Sequence, residues 1–196
     1  MQTIKSEDLE NQAIKNENNN KCPCPTLQLI IIIIPITVVI LFCAIFIPVY
    51  VENHNSDEKT EDILALKKLV DTFSNLADVK DVKSQMDLFT DDAEVISKSG
   101  GQTFTSKGKT EIEQAFTDYL VLFDIVYHLN GQQTVEINGD EATGISYCFV
   151  TLIGNGIKNQ SGVRYKDTYV KKNGKWLIKK RESDFTFTSI DPYNTA

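Results

Sequence analysis

One histidine in the second half of the chain has the chemistry of a general base. His128 stands in the segment Ile125-Val-Tyr-His-Leu, which predicts a β-strand, and the chain has one further histidine, His54. Imidazole titrates near neutral pH, so it suits removal of a proton beside a carbonyl group. His128 is therefore a candidate catalytic base. The alternative is a histidine packed in the sheet with both of its ring nitrogens bonded.

An arginine and several tyrosines are candidate ligand-binding residues. Arg181 lies in the last predicted strand, and a guanidinium can bind a carboxylate or phosphate through two parallel hydrogen bonds. Because it belongs to a run of three basic residues, Arg181 could equally be a surface charge. Tyr147, Tyr165 and Tyr169 lie on long predicted strands, where they could bring hydroxyl groups to a pocket or pack in the core.

The sequence shows no motif for a disulfide, a bound metal, a cofactor or nucleic acid. Cys148 has no second cysteine in the domain, so it is expected to be a small buried apolar residue. The sequence has no phosphate-binding glycine loop, no nucleophile elbow and no metal-spaced His/Cys cluster, and we predict no metal and no cofactor. A net charge of −7 argues against a nucleic-acid partner, because phosphate binding needs clustered Lys and Arg.

The elements that would position these residues form a helical part followed by a sheet. Apolar residues recur at three- and four-residue spacing in three segments, which predicts helices at 60–78, 79–89 and about 109–123. A short strand pair, at 93–97 and 103–105, separates the second helix from the third. We therefore expect an α+β fold, with three N-terminal helices packed on a curved, mostly antiparallel sheet.

Period-two patterning predicts the long strands of that sheet. Asn-Gly, the strongest short hairpin signal, stands at all three connections between them. Gly131 and Gly144 are candidate positions for bulges or bends that would curve the strands. The four predicted strands are 125–137, 141–153, 162–173 and 175–187.

An uncharged run near the N-terminus predicts one transmembrane helix before this domain. Residues 27–51 contain no charged residue, and about 20 apolar residues suffice to cross a bilayer. The alternative is a secretory signal peptide, which has a short basic start, a shorter apolar core and small residues at its cleavage site. This segment shows none of these three features. The lipid bilayer is thus a predicted partner, and the protein is predicted to be a single-pass membrane protein.

The segments around the predicted membrane helix complete the domain plan. Lys15 and Lys21 precede the helix, which weakly places the N-terminus in the cytosol and the domain on the opposite side. On that side Asn159 would begin a glycosylation acceptor. Cys22 and Cys24, before the helix, either belong to a flexible juxtamembrane segment or carry palmitoyl groups. The plan is a disordered tail at 1–26, the membrane helix at 27–51, a charged linker at 52–59, the domain at 60–190 and a tail at 191–196.

Three stretches of the domain, in order, carry a family resemblance. They run from Asp87-Leu-Phe-Thr-Asp-Asp-Ala93 through Val135-Glu-Ile-Asn-Gly-Asp-Glu-Ala142 to Arg164-Tyr-Lys-Asp-Thr-Tyr-Val-Lys-Lys-Asn-Gly-Lys-Trp176. With His128 and Arg181, they resemble the SnoaL-like branch of the nuclear transport factor 2-like (cystatin-like cone) superfamily. The resemblance covers roughly residues 60–187. It implies a cone-shaped α+β barrel with a deep pocket between the concave sheet and the helices.

The resemblance also implies roles for particular residues. In dehydratase-like members a His at the strand position of His128 faces the pocket, and Asp78 matches an Asp that lines it. Asp78 would then orient His128 or pair with its charge; the alternative for Asp78 is a solvated carboxylate at a helix end. The Tyr that relatives have five residues before this Asp is replaced by Phe73, which has no hydroxyl. The predicted ligand-binding residues are Phe73, Tyr147, Tyr165 and Arg181.

Two functions follow from the resemblance, and they differ in class. The first is a membrane-anchored lyase or isomerase that uses His128 and Asp78 on a small hydrophobic molecule. The second is a non-catalytic module that binds a small ligand or pairs with another copy as a homodimer. The loss of a hydroxyl at Phe73 favours the second function, and the pairing of His128 with Asp78 favours the first.

Overall fold

The computed structural model describes residues 25–194. The chain divides into two units, Met1–Asn55 and Ser56–Ala196, and the candidate site residues all belong to the second. The tail predicted at 1–26 lies almost wholly outside the described residues, as do Cys22 and Cys24. At the other end the last strand continues to Pro192, so the segment predicted as a tail from 191 begins inside the sheet.

The first helix is longer than the pattern of the domain predicts. Helix α1 runs over Pro25–Asp78, and it therefore includes the charged segment predicted as a linker at 52–59. The reason is local, because neither glycine nor proline occurs between Pro48 and Asp78 to end a helix. Most side chains of the predicted membrane segment 27–51 lie outside the described residues. In the part that is described, no helix combines the length and the apolar character needed to cross a membrane.

Helix α1 ends at Asp78 in a hydrogen-bonded cap. The amide of Lys80, which has φ of 57°, donates to Ala77 O, and the amide of Asp81 donates to Leu76 O. These are the two bonds of a Schellman motif, which reverses the chain at a residue in the left-handed region. The cap fixes the end of the helix and therefore the position of the Asp78 side chain.

The second predicted helix, at 79–89, is mostly absent. Helix α2 covers only Val82–Gln85, where the Asp81 carboxylate accepts the amide hydrogen of Ser84, and a 3₁₀ turn follows over Met86–Leu88. The Schellman cap of α1 occupies the residues that were predicted to form the first turn of this second helix. Within the described residues, the expected set of three full N-terminal helices is therefore not found.

The strands agree with their predicted positions and are somewhat longer. A strand pair, β1 and β2, precedes helix α3, which covers Gly108–Leu120, and four long strands follow it. The strands are β1 Phe89–Ser99, β2 Gln102–Lys107, β3 Ile125–Asn138, β4 Glu141–Gly154, β5 Ile157–Lys172 and β6 Lys175–Pro192.

The six strands form one sheet in the order β2-β1-β6-β5-β4-β3. All neighbours pair antiparallel except β1 and β6, which run parallel. The fold is thus the predicted α+β arrangement with a curved, mostly antiparallel sheet. The first strand, β1, pairs with the last strand, β6. In this pairing Val95 lies opposite Arg181.

The two glycines proposed as bulge positions have different roles. The β3–β4 register shifts between Asn130 and Gln133, around Gly131, as predicted. The register is unbroken at Gly144, so the prediction of a bulge there is wrong. A Cβ at Gly144 would lie 3.0 Å from Cε2 of Tyr169, which shows that this glycine leaves room for an aromatic ring.

The core fills the space between the sheet and the helices of the second unit. Leu66, Val70 and Phe73 of α1 are buried in it, together with apolar residues from β1, β4, β5 and β6. A buried acid holds the helix to the last hairpin, because Trp176 Nε1 donates to Asp62 Oδ1 at 2.7 Å. This packing fixes both α1 and β6, which carry candidate site residues.

Candidate active site

Asp78 and His128 form a hydrogen-bonded pair. The His128 Nδ1 atom lies 2.6 Å from Asp78 Oδ1, and the backbone N–H of His128 donates to Asp78 Oδ2 at 3.3 Å. The carboxylate therefore contacts both the ring and the backbone of the histidine. Their side chains are 8% and 23% exposed, respectively, so the pair is largely shielded from solvent. The pairing predicted for these two residues is present in the structure.

This geometry assigns the proton of the neutral imidazole. A carboxylate can only accept, so a neutral His128 carries its hydrogen on Nδ1 and donates it to Asp78. The other nitrogen, Nε2, then holds a free lone pair. Asp78 would also stabilise the imidazolium that forms once Nε2 takes up a proton. The pair is therefore arranged as a base with an orienting carboxylate behind it.

His128 lines a cavity between the sheet and the helices. The cavity has a volume of about 540 Å³, which lies within the usual range for sites that hold a small organic molecule. Aromatic and aliphatic side chains dominate part of its wall, including Phe73, Phe116 and Leu152. Such side chains suit the apolar part of a ligand, and the polar residues of the wall, among them Gln85, His128 and Arg181, can set its orientation.

Arg181 is a charged group buried in the wall of this cavity. Its side chain is 1% exposed, and its Nε and Nη2 atoms donate to the two oxygens of Asp167 at 2.9 and 2.7 Å. Tyr169 donates its hydroxyl to Asp167 Oδ2 at 2.7 Å. Burial opposes the charged form, but the Asp167 carboxylate outweighs it and raises the pKa of Arg181. Arg181 is thus a fixed positive charge rather than the surface charge of the alternative reading.

Two aromatic rings contact the guanidinium of Arg181. Its central carbon lies 4.2 Å from the ring centroid of Phe73 and 4.5 Å from that of Tyr165. Contacts of a cation with aromatic faces are favourable, especially where water is excluded. The third nitrogen, Nη1, is buried without a hydrogen-bond partner among the described residues. Arg181 therefore retains one donor that the described side chains do not use.

Burial also sets the protonation state of two nearby groups. Loss of solvent raises the pKa of the Tyr165 hydroxyl, so this group remains a neutral hydroxyl around neutral pH. Burial likewise raises the pKa of the Cys148 thiol to about 12. Because the thiolate is the reactive form of cysteine, Cys148 is not an activated nucleophile. The sequence reading of Cys148 as a buried apolar residue is confirmed.

The structure brings most of the predicted site residues together. His128, Phe73, Tyr165 and Arg181 all line the cavity, while Asp78 lies behind His128. Tyr147 does not: it is 42% exposed and lines a separate depression on the other face of the sheet. Strand β4 alternates strictly between buried and exposed residues here, which directs Tyr147 away from the cavity.

Two buried polar residues of the site were not predicted from the sequence. Gln85 is fully buried and lines the cavity, and Asp167 is the partner of Arg181. Asp167 lies two residues from each of Tyr165 and Tyr169, so strand alternation was a signal that it faces inward with them. Gln85 follows Val82 at helical spacing, which was a weaker signal for burial.

Two further sequence predictions concern modification and metal. Asn159 lies in β5, is half-buried and lines the cavity, so its side chain is not offered on an exposed loop as a glycosylation acceptor would be. Within residues 25–194, no group of three or more His, Cys, Asp or Glu residues is placed to hold a metal ion.

Solved structures with similar folds include two that are described as enzymes. A proposed scytalone dehydratase from Novosphingobium aromaticivorans is 22% identical, with a TM-score of 0.63, over 72% of this chain and 93% of that chain. A type 2 hexachlorocyclohexane dehydrochlorinase is 16% identical, also with a TM-score of 0.63, over 72% of this chain and 97% of that chain. At these identities the likeness shows the fold alone.

Other comparisons extend the same result. A protein of unknown function with a cystatin-like fold from Nostoc punctiforme is 27% identical, with a TM-score of 0.54, over 67% of this chain and 92% of that chain. No protein with a curated description matches the chain. The sequence model of the SnoaL-like domain family matches residues 58–182, which is more than half of the chain. The resemblance seen in the sequence is thus confirmed, and the chain belongs to the SnoaL-like domain family.

Proposed function

We propose that the protein is a lyase that catalyses an elimination on a small hydrophobic molecule bound in the cavity. The observation that carries this proposal is the Asp78–His128 pair, with Nδ1 held by the carboxylate and the ring lining the cavity wall. A general base must lie within reach of a bound substrate and be held in the correct tautomer. The names of two structural neighbours, a dehydratase and a dehydrochlorinase, agree with this reaction class.

In the proposed reaction, His128 Nε2 removes a proton from a carbon next to the carbon that bears the leaving group. The electron pair of the broken C–H bond forms the new C–C double bond, and the leaving group departs with its own bonding pair. When the leaving group is hydroxide, the imidazolium returns the proton to it and water is released. Asp78 stabilises the imidazolium during this step.

Arg181 is proposed to act on the developing negative charge. Its guanidinium is buried, remains charged and has the Nη1 donor free of any partner among the described residues. A donor fixed in advance in a site without water is worth more than the same donor in solution. Because Phe73 replaces a tyrosine, it supplies no proton; it packs on Arg181 instead. The proposed chemistry therefore relies on one base and one fixed cation.

Replacement of either member of the pair is expected to reduce turnover strongly. A general base typically contributes about 10²- to 10⁴-fold to the rate. We therefore expect His128→Ala to lower kcat at least about 100-fold with little change in KM, and Asp78→Asn to lower it as well. The measurement is steady-state elimination by the full chain, starting with scytalone and hexachlorocyclohexane and extending to small alcohols and alkyl halides.

The matched control removes the other histidine of the chain. His54→Ala should leave kcat unchanged, and thermal unfolding should show that all three variants are folded. Equal kcat in His128→Ala and the unchanged chain would overturn the proposed role of this residue. If the unchanged chain eliminates nothing from any compound of this panel, the second candidate function below is favoured.

We also propose that residues 27–51 anchor the protein in a lipid bilayer, with the N-terminus in the cytosol. The support is the sequence itself: this run of 25 residues is uncharged, and about 20 apolar residues can span the hydrocarbon core. An anchor would hold the domain beside lipid, from which an apolar substrate could enter the cavity.

Carbonate extraction of cell membranes tests the anchor. The full chain is expected to remain in the membrane pellet at alkaline pH, and deletion of 27–51 should release it. Deletion of 2–20, a polar segment of similar length, is the control and should leave the protein in the pellet. Release of the full chain by carbonate would contradict the anchor. Protease added from the cytosolic side should remove only the N-terminal tail if the proposed orientation holds.

The second candidate function is a non-catalytic module that pairs with another copy. The observation in its favour is an apolar patch on the outer face of the sheet, formed by side chains that are between 37% and 57% exposed. Its members on β3 and β4 are Tyr127, Leu129, Tyr147 and Phe149. A contiguous exposed apolar patch often marks an interface between proteins.

Sedimentation of the detergent-solubilised chain tests this pairing. If the outer face is an interface, the unchanged chain should sediment as a dimer and Leu129→Lys as a monomer. Leu64→Lys changes an apolar residue of α1 that is 63% exposed, and it serves as the control that should stay dimeric. A monomeric unchanged chain at micromolar concentration would contradict this candidate.

A further inference from the structure

Gln85 is a buried amide whose orientation is fixed by one hydrogen bond. The residue is 0% exposed, lies in α2 and lines the cavity. Its Nε2 atom donates to the carbonyl oxygen of Phe73 at 3.0 Å. A carbonyl oxygen can only accept, so the nitrogen of the amide must be the atom that faces Phe73. The amide oxygen, Oε1, is therefore held in the opposite position and cannot exchange places with the nitrogen.

The Oε1 atom has no hydrogen-bond partner among the described residues, although it is buried. A buried acceptor that stays unpaired is costly, so its presence in a cavity wall calls for a partner. Arg181 is the complementary case, because its Nη1 donor is also buried and unpaired within residues 25–194. Gln85 and Arg181, which belong to two different elements, both line the cavity.

We infer that Gln85 is a specificity-determining residue that accepts a hydrogen bond from a hydroxyl group of the ligand. A hydroxyl can donate to Gln85 Oε1 and can also accept from Arg181 Nη1 through its oxygen. A hydrocarbon, an ether or an alkyl halide has no hydrogen to give to Oε1. The preferred ligand is therefore an apolar molecule that carries a hydroxyl group. This inference rests on the proposed function only for the identification of the cavity as the substrate site.

A hydrogen bond to Gln85 Oε1 should make the affinity depend on the hydroxyl group of the ligand. A site that is built to pair with a hydroxyl discriminates against an analogue without one, because its buried polar atom is then left unpaired. The expected preference is about tenfold or more in Kd. The bond from Nε2 to the Phe73 carbonyl keeps the amide of Gln85 in one orientation before the ligand arrives.

The test compares 2-naphthol with its methyl ether, 2-methoxynaphthalene. Both are measured by equilibrium dialysis against the full chain in lipid nanodiscs, with empty nanodiscs subtracting the partition into lipid. The unchanged chain should bind 2-naphthol at least about tenfold more tightly than the ether. In Gln85→Met, which keeps the size of the side chain and removes Oε1, this ratio should fall close to one. His128→Ala should keep the ratio, because His128 is not the proposed acceptor.

Several outcomes would overturn the inference. Equal affinity of the unchanged chain for the two compounds contradicts it, as does the absence of saturable 2-naphthol binding. If the ratio of the two affinities falls to one in His128→Ala but is unchanged in Gln85→Met, the acceptor is His128 and not Gln85. If Gln85→Met does not fold, Gln85→Asn withdraws the oxygen by one methylene and should lower the ratio in the same way.

The same experiment separates this inference from the proposed elimination. Binding is measured without turnover, so a hydroxyl preference with no elimination activity on any compound leaves Gln85 in its role and removes the lyase. Elimination activity together with equal binding of the two probes supports the lyase and removes the proposed role of Gln85. The two ideas therefore fail independently.

Discussion

The charged guanidinium of Arg181 has almost no contact with solvent, and the strands around it are arranged to hold it there. Asp167 neutralises it, Tyr169 donates to Asp167, and the absence of a side chain at Gly144 leaves room for the Tyr169 ring. Removing one partner of a buried ion pair costs about 3–5 kcal/mol, because the other charge is left uncompensated. This constraint explains why β4, β5 and β6 must keep their register. The cavity wall that the three strands form thus holds a buried ion pair in which the Nη1 donor has no partner among the described residues.

The Asp78–His128 pair is the second feature of the site, because the carboxylate contacts both Nδ1 and the backbone N–H of the histidine. Its geometry depends on where α1 ends, since the cap at Lys80 fixes the last turn that bears Asp78. The replacement of a tyrosine by Phe73 does not leave an unused position, because the ring packs against Arg181. The site thus combines a carboxylate–histidine pair and a buried cation at the wall of one cavity.

Much of the fold could be predicted from the sequence because the relevant signals are local. Period-two patterning and Asn-Gly turns located all four long strands, and the motif order identified the family. The helical part was predicted less well, since a Schellman cap at a lysine rather than a glycine gives no clear signal, and the periodicity of 79–89 was mistaken for a full helix. The prediction that Tyr147 lines the cavity is wrong, because strand alternation separates the two faces of a sheet but does not show which face is buried. Gln85 was not predicted, because its burial depends on tertiary contacts.

The protonation of His128 is the most direct test of the central claim, since it needs no substrate. Nitrogen NMR of the imidazole distinguishes a protonated ring nitrogen from one with a free lone pair, and His128→Ala assigns the signals against those of His54. The account predicts that neutral His128 carries its hydrogen on Nδ1, with Nε2 unprotonated, and that Asp78→Asn abolishes this strict preference. A neutral His128 with its hydrogen on Nε2 would contradict the account, because Nε2 would then have no lone pair with which to take a proton from a substrate.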